Sequence, residues 1–435
     1  MDTITRKGAS SVAVAFGFAA VASAAIVAAA PTLLPDMADV TVFMTFWSAI
    51  FVCSGILTGL SLEVTRTASA VTSAADGSNG LNAQATLPAY PGLNAELGAV
   101  RRYPRVAVVG AIIGLSLGVL FALTSVWWGG RLFSLYYHSE SLALIIAAGV
   151  VGFTFHHLVA GALAGAQQWK LYSALVFADS AIRVFLVGTI LFLTHSVLWA
   201  AAATAFASFA WLAFVAFSTQ TRAALGIRSD VPLKPLLLRL GAAALATGSS
   251  ALLVIGFPTL LAATTSDTAF QAAAPLLLAL TLTRAPLMIP LTAVQGVAIT
   301  HFVKNRDRGL AAMWPIGRIA ILVGLGAALA AGLLGPWLLE LFWGLDYRVN
   351  GLVLAGLTLG ATGLALLTLT GGVCQAVTRH GIFVAGWLTA VAVAVATLVL
   401  PLHLFERAVL ALLIGPLAGI IVHLTALRSN RVASE

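Results

Sequence analysis

The sequence predicts an all-α polytopic membrane protein, with about twelve transmembrane helices in two six-helix lobes. Three observations predict it. Apolar runs recur between residues 11 and 427, each about 20 residues long and so able to cross roughly 30 Å of hydrocarbon as a helix. Hydrophobic residues make up 60% of the 435, charged residues only 9%, and the mean hydropathy is +1.02, values that exclude a water-soluble domain. The basic residues fall almost entirely in every second gap between the runs. Only helices or closed barrels satisfy their backbone in lipid, and these runs are too long and too evenly apolar for barrel strands.

The predicted spans are 11–34, 41–62, 106–128, 141–165, 171–194, 197–218, 239–257, 269–300, 313–334, 350–373, 381–402 and 407–427. The first follows Arg6 and Lys7 and runs into Ala28-Ala29-Ala30-Pro31. It is longer than the apolar region of a signal peptide, and its removal would leave an odd number of spans, so it is expected to remain as a helix. The second carries Gly55/Gly59 and ends at Glu63 and Arg66; the third carries Gly110/Gly114/Gly118. The fourth holds adjacent His156 and His157 and ends on Gly161/Gly165, and the fifth holds Asp179 and Arg183. The sixth is a plain apolar run, after which 219–238 turns polar and basic and contains Pro232 and Pro235. After the seventh span, the eighth places Arg284 between Pro275 and the pair Pro286 and Pro290. The ninth and eleventh are again plain, while the tenth and twelfth carry Gly356/Gly360 and Gly415/Gly419. Small residues at this spacing let helix backbones approach where lipid supplies no hydrophobic drive. Cys53 and Cys374 match no metal or disulfide spacing and are expected to be packing residues.

The polar stretch after the sixth span divides the chain into a lobe over 1–218, a linker over 219–238 and a lobe over 239–435. A weak internal echo supports duplication: Gly161-Ala-Leu-Ala-Gly-Ala-Gln-Gln-Trp-Lys170 and Thr370-Gly-Gly-Val-Cys-Gln-Ala-Val-Thr-Arg379 both turn through a Gln and one basic residue into the next span. Parallel repeats of this kind place a substrate path at the lobe interface. The long gap at 67–100, centred on Ser, Asn, Gly, Ala and Pro from Ser73 to Gly92, reads as a flexible loop.

If the first helix enters from the cytoplasm, 18 of the 23 Lys and Arg residues lie on that side. Arg131, Arg348 and Arg407 lie outside, and Arg183 and Arg284 lie within spans. The asymmetry orients both termini and the 67–100 loop toward the cytoplasm of a bacterial inner membrane. The net charge of +8 then faces anionic membrane lipid. It does not point to nucleic acid.

No Walker A pattern precedes any of Lys7, Lys170, Lys234 or Lys304, and no large external loop carries acidic residues. Neither an ATP-driven pump nor an enzyme is expected, and nothing calls for a metal or a cofactor. Attention falls instead on charges within spans, each costing at least about 3 kcal/mol at mid-membrane. Prolines around Arg284 should kink or break its helix and expose backbone groups, and broken helices bearing charge are where transporters bind substrates. A guanidinium grips phosphate or carboxylate at two points; alternatively Arg284 caps carbonyls that the prolines free. Asp179 and Arg183, four apart, share a helix face and form an intrahelical pair, or else present a second cavity cation. His156 and His157 point about 100° apart, so at most one should face a cavity, as a relay or a helix-contact histidine. Glu63 and Arg66 stand where they would gate the cytoplasmic mouth or lie in the lipid interface.

The segment Leu276-Leu-Leu-Ala-Leu-Thr-Leu-Thr-Arg-Ala-Pro-Leu-Met-Ile-Pro-Leu-Thr-Ala-Val-Gln-Gly296 resembles the eighth-helix region of actinobacterial polysaccharide-biosynthesis membrane proteins. They form part of the multidrug/oligosaccharidyl-lipid/polysaccharide exporter superfamily. Phe46 to Arg66 and Gly161 to Arg183 are similar to the same group. The resemblance implies two six-helix bundles about a central cavity, alternating access, and a polyprenyl-phosphate-linked saccharide as substrate. It places Arg284 where related lipid II flippases carry a cavity arginine. The absence of deep charges in the first two spans, and of helices beyond twelve, argues against lipid II itself. The expected substrate-binding residues are Arg284, Arg183 and Asp179, with Glu63, Arg66, His156 and His157 as gate or relay. Glycosyltransferases of the same pathway are the expected protein partners. Two rivals stand beside this expectation: a cation-coupled drug exporter, which would use Asp179, and a non-transporting scaffold acting through the 63–105 loop.

Overall fold

A computed structural model describes residues 3–83, 103–288, 313–377 and 379–432. The chain forms α1 (Thr3–Leu33), α2 (Met37–Ala83), α3 (Val106–Leu132), α4 (Ser139–Gly165), α5 (Trp169–Thr194), α6 (Val197–Ala207), α7 (Trp211–Phe217), α8 (Thr219–Leu225), α9 (Leu233–Val254), α10 (Phe257–Thr264), α11 (Asp267–Phe270), α12 (Ala274–Met288), α13 (Trp314–Trp343), α14 (Gly351–Ala376), α15 (His380–Leu398) and α16 (Leu404–Val432). Among the described residues, 11 segments are long and apolar enough to cross a membrane, with α6 and α7 together making one. The expected eighth span is represented by α11 and α12, and its remainder lies outside the described residues. Leu123 on α3 and Leu333 on α13 are each 72% exposed, apolar surface of the kind that lipid covers.

In the first lobe α1 lies on α5, α5 on α6, and α4 packs against α2, α3 and α6. In the second, α13 lies on α14, α14 on α16, and α16 on α15. The lobes meet where α2 runs antiparallel to α9. Every glycine of the four-residue repeats faces a neighbouring helix so closely that a Cβ would come within 3.0 Å of one of its atoms. At Gly59 that atom is the backbone carbonyl carbon of Ala243 on α9, at 2.5 Å. Small residues therefore set the helix separation, as expected in lipid.

The linker does not hang free of the first lobe. Ser229 N donates to Pro104 O at 2.9 Å and Val106 N to Ile227 O at 3.2 Å, docking the linker beside the start of α3. For convenience, the side bearing this linker and the start of α1 is called the basic face. One apolar core joins both lobes, through Phe43, Phe46, Phe257, Leu277 and Leu357 in the half of the molecule away from that face, and reaches Trp387 farther in. Toward the basic face the buried clusters separate. One gathers Leu60, Leu163 and Leu175 with Leu236 and Leu240 of α9; the other gathers Ala365, Leu369 and Val373. Among the described residues the core shared by both lobes spans their far half, and toward the basic face the buried contact between lobes runs along α2 and α9.

Two expectations need correction. The loop expected over 67–100 is helical as far as Ala83, as a continuation of α2. Ala68, Ala70, Ala74 and Ala75 are strong helix formers and no proline intervenes before Pro88; residues 84–100 lie outside the described residues. The helix bearing Arg284 is also unbroken through Met288. Pro275 sits at its second residue, where a missing N–H costs nothing, and Pro286 is accommodated within it. The break falls one span earlier, at Ile255–Gly256 between α9 and α10. Pro258, two residues past Gly256, has no N–H to give to Val254 O.

Candidate substrate cavity

The broken span shapes one of two cavities that abut at Trp47. An inter-lobe cavity of about 400 Å³ lies between α1, α2, the α9–α10 break and α12, and Arg284 projects from its wall. Ser48 on α2 stitches the break. Its hydroxyl donates to Ile255 O at 2.9 Å and accepts from Thr259 N at 3.3 Å. Arg284 Nη1 donates to Leu253 O and Val254 O, each at 3.3 Å, and its guanidinium lies 5.2 Å from the Phe257 ring centre. The arginine therefore does cap carbonyls, but those of α9 and not of its own helix. One arm is left over. Nε and Nη2 are buried without a partner, and no carboxylate among the described residues lies within 4.0 Å. A buried cation with two unmet donors and no counter-charge requires an anion or water from the cavity.

The second cavity, about 210 Å³, lies inside the first lobe between α1, α2, α4 and α5. Asp179 and Arg183 form the expected intrahelical pair across its wall, with Arg183 Nη2 donating to Asp179 Oδ1 at 2.6 Å. Phe51 and Phe153 hold the guanidinium at 5.1 and 5.5 Å from their ring centres, while Nε is buried and unpartnered. The pair is neutral as a unit. His156 and His157 both line this cavity, against the expectation that at most one would. The cavity wraps round α4 from the α2 side to the α5 side and so spans the angle between the two rings. His157 Nε2 bonds Ser54 Oγ at 3.1 Å, whereas His156 Nδ1 has no partner.

Both cavities are lined by Ser23 and Trp47, which are joined by a bond from Trp47 Nε1 to Ser23 Oγ of 3.2 Å. A single indole divides the two spaces. Sequence reasoning missed Trp47, Ser23 and Ser48, since an aromatic or a serine in a span carries no signal before its neighbours are known.

Glu63 and Arg66 line neither cavity. They join Asp230 of the linker and Arg239 of α9 in an ionic cluster across the lobe seam. Arg66 Nη2 donates to Glu63 Oε1 at 2.7 Å and Asp230 Oδ1 at 3.1 Å, and Arg239 Nη1 donates to Asp230 Oδ2 at 3.1 Å. Burial works to raise the Asp230 carboxyl, but hydrogen bonds from Arg66 and Arg239 outweigh it and hold Asp230 below the usual carboxylate range. An acidic residue beside a basic helix start was the available signal for this cluster. Among the described residues no three His, Cys, Asp or Glu side chains gather into a metal site.

No protein-family model matches the chain. It is 36% identical over 407 residues to the uncharacterized protein Rv3630 of Mycobacterium tuberculosis, covering 93% of this chain and 88% of that one. With Rv1510 of the same organism, also uncharacterized, it is 35% identical over 393 residues, covering 89% and 84%. Among solved structures it is similar to an inward-facing multidrug resistance MATE family transporter of the MOP superfamily, with a TM-score of 0.69 and 15% identity over 95% of this chain and 96% of that one. An outward-facing MATE transporter gives 0.65 at 16% identity, over 98% and 96%. A MOP superfamily transporter from Pyrococcus furiosus, whose reverse binding-pocket polarity is described as suggesting a different function, gives 0.60 at 16% identity, over 97% and 96%. The fold is accordingly the two-lobed fold of the MATE transporters.

Proposed function

The chain belongs to the family of the uncharacterized Mycobacterium tuberculosis proteins Rv3630 and Rv1510, and we propose that it is a flippase for a polyprenyl-phosphate-linked saccharide used in envelope polysaccharide assembly. One observation carries the proposal: Arg284 stands in the cavity between the lobes, buried, with two donors unmet and no carboxylate beside it among the described residues. A site of that kind favours an anion and disfavours a cation. Phosphate or diphosphate satisfies the guanidinium fork, while the polyprenyl tail stays in the lipid.

In the proposed cycle the lobes alternate about the seam of α2 and α9. The state that loads would be the one in which the lobes open toward the basic face. With the basic face toward the cytoplasm of a bacterial inner membrane, loading occurs where lipid-linked saccharides are made, and glycosyltransferases of the pathway are natural neighbours. Cation-coupled drug export is less well supported, because Asp179, the carboxylate it would need, is already bound by Arg183 at 2.6 Å.

The test is transfer of a fluorescent polyprenyl-diphosphate saccharide across proteoliposome membranes, read by protection from an external quencher. Transfer should require the protein. Arg284→Ala should lower substrate affinity about ten- to a hundredfold, the equivalent of roughly 1.5–3 kcal/mol for a lost charge-assisted contact. Arg284→Lys should lie between, keeping the charge without the fork. Undiminished binding and transfer by Arg284→Ala would exclude the anion site.

A further inference from the structure

The two cavities differ in chemistry, and the difference divides the labour of recognising a substrate. The inter-lobe cavity carries an uncompensated cation among largely apolar walls such as Val27, Met44, Leu277 and Leu280. The first-lobe cavity carries no net charge, since Asp179 and Arg183 neutralise each other at 2.6 Å. An anion there would meet the Asp179 carboxylate, and a cation would meet Arg183. The ligand that suits it is neutral.

That ligand must also offer both donors and acceptors. Arg183 Nε is a donor, His156 Nδ1 is a donor or an acceptor according to its tautomer, and both atoms are buried without partners in residues only 6% and 7% exposed. Such groups persist in a folded protein when something in the site satisfies them. Ser54, Thr58 and Ser180 add hydroxyls, and Trp47, Phe51 and Tyr172 add aromatic faces. Aromatic walls with a few placed polar groups are the usual way of orienting a small neutral ligand. A polyhydroxylated ring, with hydroxyls round its edge and C–H faces above and below, meets every one of these conditions.

We propose that the cavity between α1, α2, α4 and α5 is a saccharide subsite, distinct from the phosphate subsite at Arg284, with Trp47 as the platform between them. The assignment rests on the flippase proposal and deepens it: the phosphate end of one head group lies at Arg284 and its sugar lies beyond the Trp47–Ser23 contact. Trp47 must then turn from Ser23 when the head group enters.

The experiment measures binding to the full chain in nanodiscs by calorimetry. The probes are farnesyl methyl diphosphate and farnesyl diphosphates bearing glucose, galactose, mannose, rhamnose or N-acetylglucosamine, all of matched charge. At least one glycosylated probe should bind ten times more tightly than the methyl compound. Asp179→Asn with Arg183→Gln, which keeps the net charge, should erase that advantage while moving methyl-compound affinity less than twofold; His156→Leu, as an independent second variant, should reduce it at least threefold. Arg284→Ala should weaken all probes alike and leave the ratio intact. If no sugar improves on the methyl group, or the advantage survives both first-lobe variants, the saccharide subsite is overturned while the phosphate site stands. If the parent binds none of the probes, or Arg284→Ala binds them unchanged, the flippase proposal fails and the subsite with it. Retained binding of the methyl compound shows that a first-lobe variant is folded.

Discussion

Arg183 and Arg284 are both buried arginines within spans, yet their surroundings give them different capacities. Arg183 has a carboxylate four residues away on its own helix and two neighbouring aromatic rings beside it. Arg284 has two backbone carbonyls, one ring and open cavity. The first is neutralised and oriented, and the second retains its charge for a ligand. Position matters for Arg183 beyond the pairing itself. In a variant with the two residues exchanged, Asp179→Arg with Arg183→Asp, the ion pair re-forms but the guanidinium leaves Phe51 and Phe153. Each cation–π contact is worth about 0.5–2 kcal/mol. The exchanged variant should insert and purify normally yet transfer lipid-linked saccharide at least tenfold more slowly in proteoliposomes. Parent-like transfer would reduce the pair to a device for burying two charges.

At the scale of elements, the seam between α2 and α9 is built from absence of side chain. Gly55 faces Ala251 Cβ, Gly59 faces the backbone of Ala243 and Ala244, and Gly248 of α9 faces Ile56. Thr247 Oγ1 adds a bond to Ile56 O at 3.0 Å. A leucine at Gly59 cannot be absorbed by rotating a side chain, because what it meets is main chain. Overpacking of this kind typically costs about 1–3 kcal/mol. Gly59→Leu should lower the melting temperature of the purified protein, whereas Gly241→Ala, on the same α9 but facing open space, should hold or raise it through better helix propensity. Equal effects of the two would mean that the close seam adds nothing to stability.

Across the whole molecule, the lobes are tied at the basic end of that seam by the cluster of Glu63, Arg66, Asp230 and Arg239. Asp230 is held below its ordinary range, so it stabilises the folded state at pH values above its unfolded pKa of about 3.9, and the contribution is lost as pH falls through the lower folded value. The deficit in melting temperature of Asp230→Asn relative to the parent should therefore stay constant from about pH 5 to pH 8 and shrink only below about pH 4. A deficit that changes within the neutral range would show that another group titrates in the cluster.

How much of this was legible beforehand follows from the range of the forces involved. Composition, run length and the distribution of basic residues sufficed for a helical membrane protein of about twelve spans, because transfer into lipid acts on each segment independently. Pairing of Asp179 with Arg183 was equally accessible, since helical periodicity alone brings them together. The break beside Arg284 was expected in the wrong span. Prolines mark where a helix is stressed, but whether it yields depends on who accepts the freed carbonyls, and Arg284 and Ser48 reach those of α9 from other helices. The same holds for His156 and His157, whose common cavity is made by α1, α2 and α5 closing round α4. Sequence by itself determined the class, the spans and the residues too costly to bury idly; only the tertiary structure decided which of them share a space, because most of the contacts that define the two cavities cross from one helix to another, as Ser48 with Ile255 and Ser54 with His157 do.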